Sequence, residues 1–229
     1  MTASHARGIA AMLLVTVAMA ACGGANPGTV QTAAQPVSGG QAGLSGVAKA
    51  SADSARYPYT AADVHFMSAM IGHHAQALVM AGWAPTHGAS ASVLTLAARI
   101  INAQQDEINT MQGWLHDRRQ PVPEAKPGPM KMMMNGMEHE MLMPGMLTDD
   151  QMTQLDQARG AEFDRRFLTF MIQHHRGAVS MVKDLFGSYG AAQDETVFKF
   201  ASDVNVDQST EIERMQRMLF ALAVGSPAR

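Results

Sequence analysis

The stretch MIGHHAQALVM, from Met70 to Met80, decides the fold, because a second version, MIQHHRGAVSM, runs from Met171 to Met181. Both versions begin with Met-Ile, carry two adjacent histidines and end with Met. The copies are separated by 101 positions. Self-similarity of this kind indicates an internal duplication, so the chain is expected to contain two copies of one structural unit.

The duplication extends beyond these two stretches. Asp63 and Phe66 match Asp164 and Phe167 at the same offset, and the segment that follows matches at an offset of 104. The second set pairs Gln104 with Gln208, Glu107 with Glu211, Ile108 with Ile212, Met111 with Met215, Gln112 with Gln216 and Leu115 with Leu219. Two helical hairpins that copy each other predict a four-helix bundle with approximate two-fold symmetry.

Hydrophobic periodicity predicts four helical stretches, at about 61–83, 90–117, 148–186 and 194–223. Thr60 with Asp63, and Thr148 with Gln151, have the spacing of capping boxes at two of the starts. An irregularity is expected at Gly160, inside the third stretch. No segment shows convincing strand alternation, so the fold class is predicted to be all-α.

The N-terminus has the pattern of an export signal. Residues 1–21 read as a signal peptide with a short apolar run, and small residues precede Cys22, as in a bacterial lipobox. Lipidation of Cys22 would anchor the protein to a membrane facing the periplasm or cell exterior; ordinary cleavage near Ala21 is the alternative. Residues 22–57 are predicted to form a flexible tether, and 58–223 the bundle domain. Within that domain, repeat 1 covers about 60–117, a connector 121–147 and repeat 2 about 148–223.

The composition of the chain limits its possible partners and the residue types that could bind a metal. The net charge is −3 and there is no long basic run, which argues against a nucleic-acid partner. Cys22 is the only cysteine, so the mature domain has no disulfide and no thiolate ligand beyond that terminus. A metal site would have to use His, Met, Asp, Glu or backbone groups, and the chain contains 9 histidines and 20 methionines.

Polar residues recur on the face that each helix is expected to bury. Asp63, Met70, His73 and Met80 share one stripe of the first helix, and Glu107 and Met111 share one stripe of the second. A buried polar group costs several kcal/mol without a partner, so a plain apolar core does not explain the pattern. Metal binding is one interpretation, and a duplicated structural Asp-His-Glu network is the other. The candidates are Asp63, Met70, His73, His74, Met80, Glu107 and Met111, with Asp164, Met171, His174, His175, Met181, Glu211 and Met215 in the second copy.

The connector between the repeats is rich in methionine. Eight of the eighteen residues from Pro129 to Met146 are Met, and His139 lies between two glutamates. Thioethers without a packing role favour a collector of soft cations such as Cu(I) or Ag(I). A hydrophobic lid or a partner-binding surface is the alternative. The candidate ligands are Met130, Met132, Met133, Met134, Met137, His139, Met141, Met143 and Met146.

The segments DVHFMSAMIGHHAQAL, QQDEINTMQGWL, MPGML, EFDRRFLTFMIQHHRGAV and DQSTEIERMQRML resemble the bacterial domain-of-unknown-function 305 family, over about residues 57–219. The resemblance implies an exported, ferritin-like four-helix bundle, with copper binding in some members. It implies Met70, His73, His74 and Met80 and their repeat-2 mates as ligands, with Met111 and Met215 as second-helix candidates.

The leading expectation is a non-enzymatic exported protein that sequesters or carries copper for copper tolerance, with silver as a second soft metal and iron less favoured. A copper-transport partner protein or a homo-oligomer is compatible with that role. The first alternative is a ferritin-like di-metal oxidase, although no Glu-x-x-His motif is present. The second is an interaction module without metal. His65, His87 and His116 have no matching histidine and are predicted to be surface residues.

Overall fold

The computed structural model describes residues 58–134 and 137–225, and gives only the backbone for 130–134, 138 and 139. Its helices are α1 (Ala61–Gly82), α2 (Ala91–Asp117), α3 (Asp149–Gln157), α4 (Gly160–Gly187) and α5 (Glu195–Gly225). The predicted signal peptide, the tether and Cys22 lie outside the described residues. Among the helices described, none is long and apolar enough to span a membrane.

The helices pack as two hairpins joined back to back. α1 lies against α2, α4 lies against α5, and the two hairpins meet through α1 and α4. The short α3 packs on α1 and α4. The predicted all-α bundle of duplicated hairpins is confirmed. The helices that carry the paired histidines therefore form the centre of the bundle.

The starts of the helices follow the sequence signals. The Thr60 hydroxyl accepts from the backbone N–H of Asp63, and the Asp63 carboxylate accepts from the backbone N–H of Thr60, which completes a capping box. Thr148 and Gln151 form the same arrangement at α3. Both predicted capping boxes are present.

The predicted third helix is interrupted near Gly160, as expected. α3 ends at Gln157, and Ala158 and Arg159 have extended backbone. Gly160 has a φ of 58°, a conformation that glycine adopts readily. Its N–H donates to the carbonyl of His87, which ties the break to the turn after α1.

The connector contains a β-hairpin that was not predicted. β1 (Met130–Met134) pairs antiparallel with β2 (Met137–Met141), with Met130 opposite Met141 and Met134 opposite Met137. The prediction that no segment forms a strand was wrong here. The hairpin is an addition outside the bundle, so the fold class is unchanged.

After the hairpin the chain lies across the two central helices and contacts both of them. Gly177 of α4 makes room for it: a Cβ there would lie 1.9 Å from the Pro144 carbonyl oxygen. From α1, the Gln76 amide donates to the carbonyl of Leu147 at 3.0 Å and accepts from its N–H at 2.7 Å. On α4, Gln173 donates to the carbonyl of Gly145. The segment 143–147 is thus held from both sides, and we call it the crossing loop.

Candidate metal centre

Four histidines form a continuous row across the interface between α1 and α4. The rings of His73 and His174 meet at the centre, with centroids 3.9 Å apart. His74 flanks His73 at 6.3 Å, and His175 flanks His174 at 6.1 Å. All four residues have 0% solvent exposure. The duplicated sequence therefore places both His-His pairs in one buried site.

A glutamate orients each outer histidine. His74 Nε2 donates to Glu107 Oε2 and His175 Nε2 donates to Glu211 Oε2, both at 2.6 Å. The two glutamates keep 18% and 24% of their side chains exposed. The histidines lie on the equivalent helices α1 and α4 and the glutamates on α2 and α5, so the symmetry predicted from the repeat holds at this level.

The two inner histidines break the symmetry. His174 Nε2 donates to the backbone carbonyl of His73 at 2.9 Å, whereas His73 Nε2 donates to the carbonyl of Pro144 at 3.0 Å. Pro144 belongs to the crossing loop, which has no copy elsewhere in the chain. A single connector therefore makes the centre of a symmetric bundle asymmetric.

Because a carbonyl can only accept, the Nε2 atoms of His73 and His174 carry their protons. In a neutral imidazole the other ring nitrogen, Nδ1, then bears a free lone pair. The Nδ1 atoms of all four histidines are buried and lack a hydrogen-bond partner. Buried polar atoms are usually paired, so four orphans in one row require an explanation.

Burial keeps the inner histidines neutral. Burial first, and then the neighbouring His74 and His175, lower the pKa of His73 to about 3, against an opposing contribution from the Pro144 carbonyl. Burial also holds the pKa of His174 well below its usual range, and the neighbouring His73 and His175 add to the effect. Neutral imidazole is the form that binds metal ions.

Two glutamines belong to the same set of unpartnered groups. Gln104 and Gln208 are each 2% exposed, and both polar atoms of each amide lack a partner. Each lies one helical turn before the glutamate that orients an outer histidine, so it shares that helix face. The alignment of the two repeats pairs Gln104 with Gln208, but the sequence analysis did not include these glutamines among the candidate ligands. The lack of hydrogen-bond partners for their amides, the decisive signal, is visible only in the structure.

Six of the candidate methionines divide between the two buried hydrophobic clusters. Met70 and Met111 belong to one buried hydrophobic cluster together with Met181 from the opposite hairpin. Met171 and Met215 belong to the other, together with Met80. The six are 8% exposed or less. Each cluster therefore contains the last methionine of the motif from the other repeat.

Asp63 and Asp164 have a different role from the one predicted. The Asp63 carboxylate accepts from Thr60 and from the backbone N–H of Ala192 at 2.7 Å. Asp164 accepts from the backbone N–H of Ser90 at 3.1 Å. Each lies ten residues, or roughly 15 Å of helix, from the first histidine of its motif. The structure does not bring them to the histidine row, so their prediction as ligands is corrected: they tie one hairpin to the other.

The connector methionines fall into two groups. Met143 and Met146 are 8% and 5% exposed and pack in the core, so these two thioethers have a packing role, and their prediction as ligands stays a prediction. Met137 and Met141 are 62% and 51% exposed, as a collecting surface requires. The remaining predicted ligands, whose side chains lie outside the described residues, are Met130, Met132, Met133, Met134 and His139.

The three unmatched histidines differ from one another. His65 and His116 are exposed, as predicted. His87 is 5% exposed and its Nε2 donates to the Asp156 carbonyl at 2.8 Å, so its prediction as a surface residue was wrong. It anchors the turn after α1 to the end of α3.

The donor set suits a soft or borderline metal ion. Within the described residues, no three side chains drawn from His, Cys, Asp and Glu form a ready-made metal site. Hard cations such as Mg²⁺ or Ca²⁺ need several oxygen ligands and are disfavoured. Imidazole nitrogens beside thioethers are the donors that copper prefers.

One groove on the bundle is mainly acidic, although Lys199 also lines it. Asp106, Glu107, Asp203 and Asp207 line a groove between α2 and α5. Burial raises the pKa of the Asp207 carboxyl, and the negative charges of Glu107, Asp203 and Glu211 raise it further. The concentrated negative charge favours cations at the side of the bundle where Glu107 reaches the solvent.

A family model described as Domain of unknown function (DUF305) matches residues 63–219. A DUF305 protein from Streptomyces coelicolor, predicted to be secreted, is 29% identical, with a TM-score of 0.59 over 71% of this chain and 94% of that one. A DUF305 fragment from Deinococcus radiodurans is also 29% identical, with a TM-score of 0.58 over 71% of this chain and 97% of that one.

The chain is also similar to CopM, solved in a Cu(II)-bound form. The identity is 28% and the TM-score 0.53, over 69% of this chain and 95% of CopM. CopM was also solved with Cu(I) and with Ag. No curated protein matches this chain.

Proposed function

The chain belongs to the family described as Domain of unknown function (DUF305), and we propose that it is an exported copper-binding protein that sequesters or carries copper. The observation that carries the proposal is the row of four buried histidines with unpartnered Nδ1 atoms. A bound ion would supply the missing partner, while the hydrogen bonds at Nε2 hold each ring in place.

The two donor types suit the two oxidation states of copper. Imidazoles are good ligands for Cu(II), and thioethers are good ligands for Cu(I). His73 and His74 lie on the same helix as Met70, and His174 and His175 lie on the same helix as Met171. The copper- and silver-bound forms of CopM, a similar fold, support the same assignment. Silver is expected to occupy the thioether-rich positions.

We propose binding without catalysis. A ferritin-like di-metal oxidase places a glutamate on two helices and Glu-x-x-His on the other two. Here Met70 and Met171 stand three positions before His73 and His174, where that motif needs glutamate. Glu107 and Glu211 alone give a carboxylate-poor centre. Iron content and oxygen uptake of the purified protein test this alternative.

Export and anchoring complete the proposal. The signal-like residues 1–21 and the similarity to a protein predicted to be secreted support export. Lipidation at Cys22 would hold the bundle at a membrane surface through the tether of residues 22–57. In that position the protein would act on copper outside the cytoplasm, and would pass it to a copper-transport protein or to another copy of itself.

Titration with Cu(II), and with Cu(I) under anaerobic conditions in competition with a chelator, tests the proposal. The double variant His74→Gln with His175→Gln removes two Nδ1 donors but retains side chains that can bond Glu107 and Glu211. We expect it to weaken copper binding by at least about 100-fold. The control is His116→Gln, at an imidazole that is 84% exposed. Equal binding by the double variant and the control, with helix content unchanged, would contradict the proposal.

A further inference from the structure

A pocket of about 310 Å³ lies where the connector meets α1 and α4. Three thioethers and one imidazole line it: Met141 at the end of β2, Met143 in the crossing loop, Met181 on α4 and His65 on α1. His65 and Met141 are exposed, whereas Met143 and Met181 are each 8% exposed. The four side chains therefore extend from the surface to the edge of the core.

The fold fixes the inner part of this pocket. Met143 reaches α1, and its Cε lies 3.5 Å from the position that a Cβ at Gly72 would take. The crossing loop that carries Met143 is held by Gln76 and Gln173. Met181 lies one turn before Leu185, and both line the pocket from α4. A rigid inner wall with sulfur donors is thus combined with an outer rim of exposed donors.

The polar groups at the rim are few. The Asp184 carboxylate and the Ser188 hydroxyl accompany His65, and Ser188 donates to the Asp184 backbone carbonyl at 2.8 Å. One carboxylate does not make a site for a hard cation, which needs several oxygen ligands. Thioethers with one imidazole are soft donors, and they select Cu(I) or Ag(I).

We propose that this pocket is a second metal site, which takes a soft monovalent cation through Met141, Met143, Met181 and His65. The inference rests on the proposed function, since it assigns a separate copper site to a copper-binding protein. The pocket adjoins the histidine row, because Pro144 lines the pocket and its carbonyl accepts from His73. Pro144 is therefore the one residue that contacts both the pocket and the buried histidine row.

The site has no copy in the other half of the molecule. Arg166 occupies the position that matches His65, and the crossing loop, which supplies Met143, has no second copy in the sequence. The account therefore predicts one such site in each chain, whereas the histidine row contains both copies of the motif. This difference allows the two sites to be separated by stoichiometry.

Methyl NMR of the full-length protein with ¹³C-labelled methionine methyl groups tests the site directly. Ag(I) is the probe because it is diamagnetic and shares the ligand preference of Cu(I). We expect the Met141, Met143 and Met181 signals to shift together as one equivalent binds, and His65→Ala to abolish that shared step. If these three signals stay unchanged while Ag(I) binds elsewhere, the pocket is only an apolar groove and the inference is overturned.

Stoichiometry separates this inference from the proposed function. The variant His65→Ala with Met141→Leu changes two exposed side chains, so it should fold, and it is expected to bind one Cu(I) equivalent less than the wild type. His116→Ala with Met152→Leu is the control. If the pocket variant binds as many equivalents as the control, the inference fails and the proposed function stands. If the variant His74→Gln with His175→Gln binds as much copper as the wild type and only the pocket variant loses an equivalent, the histidine-row proposal fails and the pocket site stands.

Discussion

His73 and His174 lie with ring centroids 3.9 Å apart, although 101 positions separate them in the chain. Their Nε2 atoms donate to two different carbonyls, of Pro144 and of His73, so the pair is equivalent in sequence and unequal in structure. The neutral form of both rings depends on their burial.

The first prediction concerns pH and the metal-free protein. The pKa of His73 falls from an ordinary 6.5 to about 3 on folding. Between these values the unfolded chain binds more protons than the folded one, so stability rises with pH across that window. We expect the free energy of unfolding to fall by several kcal/mol as the pH drops from 7 to 4, measured by urea denaturation.

The variant His73→Gln serves as the test of cause, because it removes one of the two titrating inner rings. Its stability should depend less on pH than that of the wild type. His116→Gln, at an exposed site, should retain the full dependence. A wild-type midpoint that stays constant from pH 7 to pH 4 would contradict the account of the buried neutral row.

The second prediction separates the capping aspartates from metal ligands. Asp63→Ala leaves the buried N–H of Ala192 without its partner and removes the capping box of α1. We expect a loss of about 1–3 kcal/mol in stability, with the number of copper ions bound unchanged. Asp164→Ala is the matched variant at the N–H of Ser90. If either variant binds one copper ion fewer while its helix content is retained, the aspartate is a metal ligand and this prediction is wrong.

The third prediction concerns the crossing loop. Gly177→Ala places a Cβ against the Pro144 carbonyl, which must move and give up the hydrogen bond from His73. Destabilisation of about 1–3 kcal/mol is expected. Gly113→Ala, inside α2 with open space around it, should instead stabilise by up to about 1 kcal/mol because alanine favours helix. Thermal unfolding of both variants checks this contrast, and similar behaviour of the two would count against the tight contact.

The fourth prediction concerns the glutamates beside the outer histidines. Glu107→Gln keeps an acceptor for His74 Nε2 but removes the negative charge. We expect Cu(II) affinity to fall by about 10- to 100-fold, since partners of this kind tune metal ligands. Glu211→Gln should behave in the same way, because the two pairs have the same geometry. Competition titration of each variant measures the effect, and a wild-type Kd in both would exclude the proposed role.

Much of this architecture could be predicted from the sequence. The repeated Met-Ile-x-His-His pattern was sufficient to predict the duplication and the four-helix bundle. Thr60 and Thr148 correctly predicted where two helices begin. The β-hairpin was missed because neither β1, which is almost all methionine, nor β2, which reads Met-Glu-His-Glu-Met, alternates between apolar and polar residues. Asn135-Gly136 between them is a strong short-range hairpin signal that methionine content obscured.

Other features depend on contacts between distant parts of the chain. Asp63 was grouped with the histidines because it lies on the same face of α1. The helix face alone does not show which residues of the other helices lie opposite each position along α1. The Pro144 carbonyl and the pocket beside His65 arise from the path of the connector, which has no repeat to guide a prediction. Burial of Met143 and Met146 has the same origin.

The central claim is that metal binds at the Nδ1 atoms of the buried row, and ¹⁵N-histidine NMR tests it most directly. In the metal-free protein His73 and His174 should show protonated Nε2 and bare Nδ1. On addition of Ag(I) the account predicts that Nδ1 signals of the row shift while the Nε2 protons remain. Unchanged Nδ1 signals at stoichiometric metal would contradict it and leave the histidine row as a structural network.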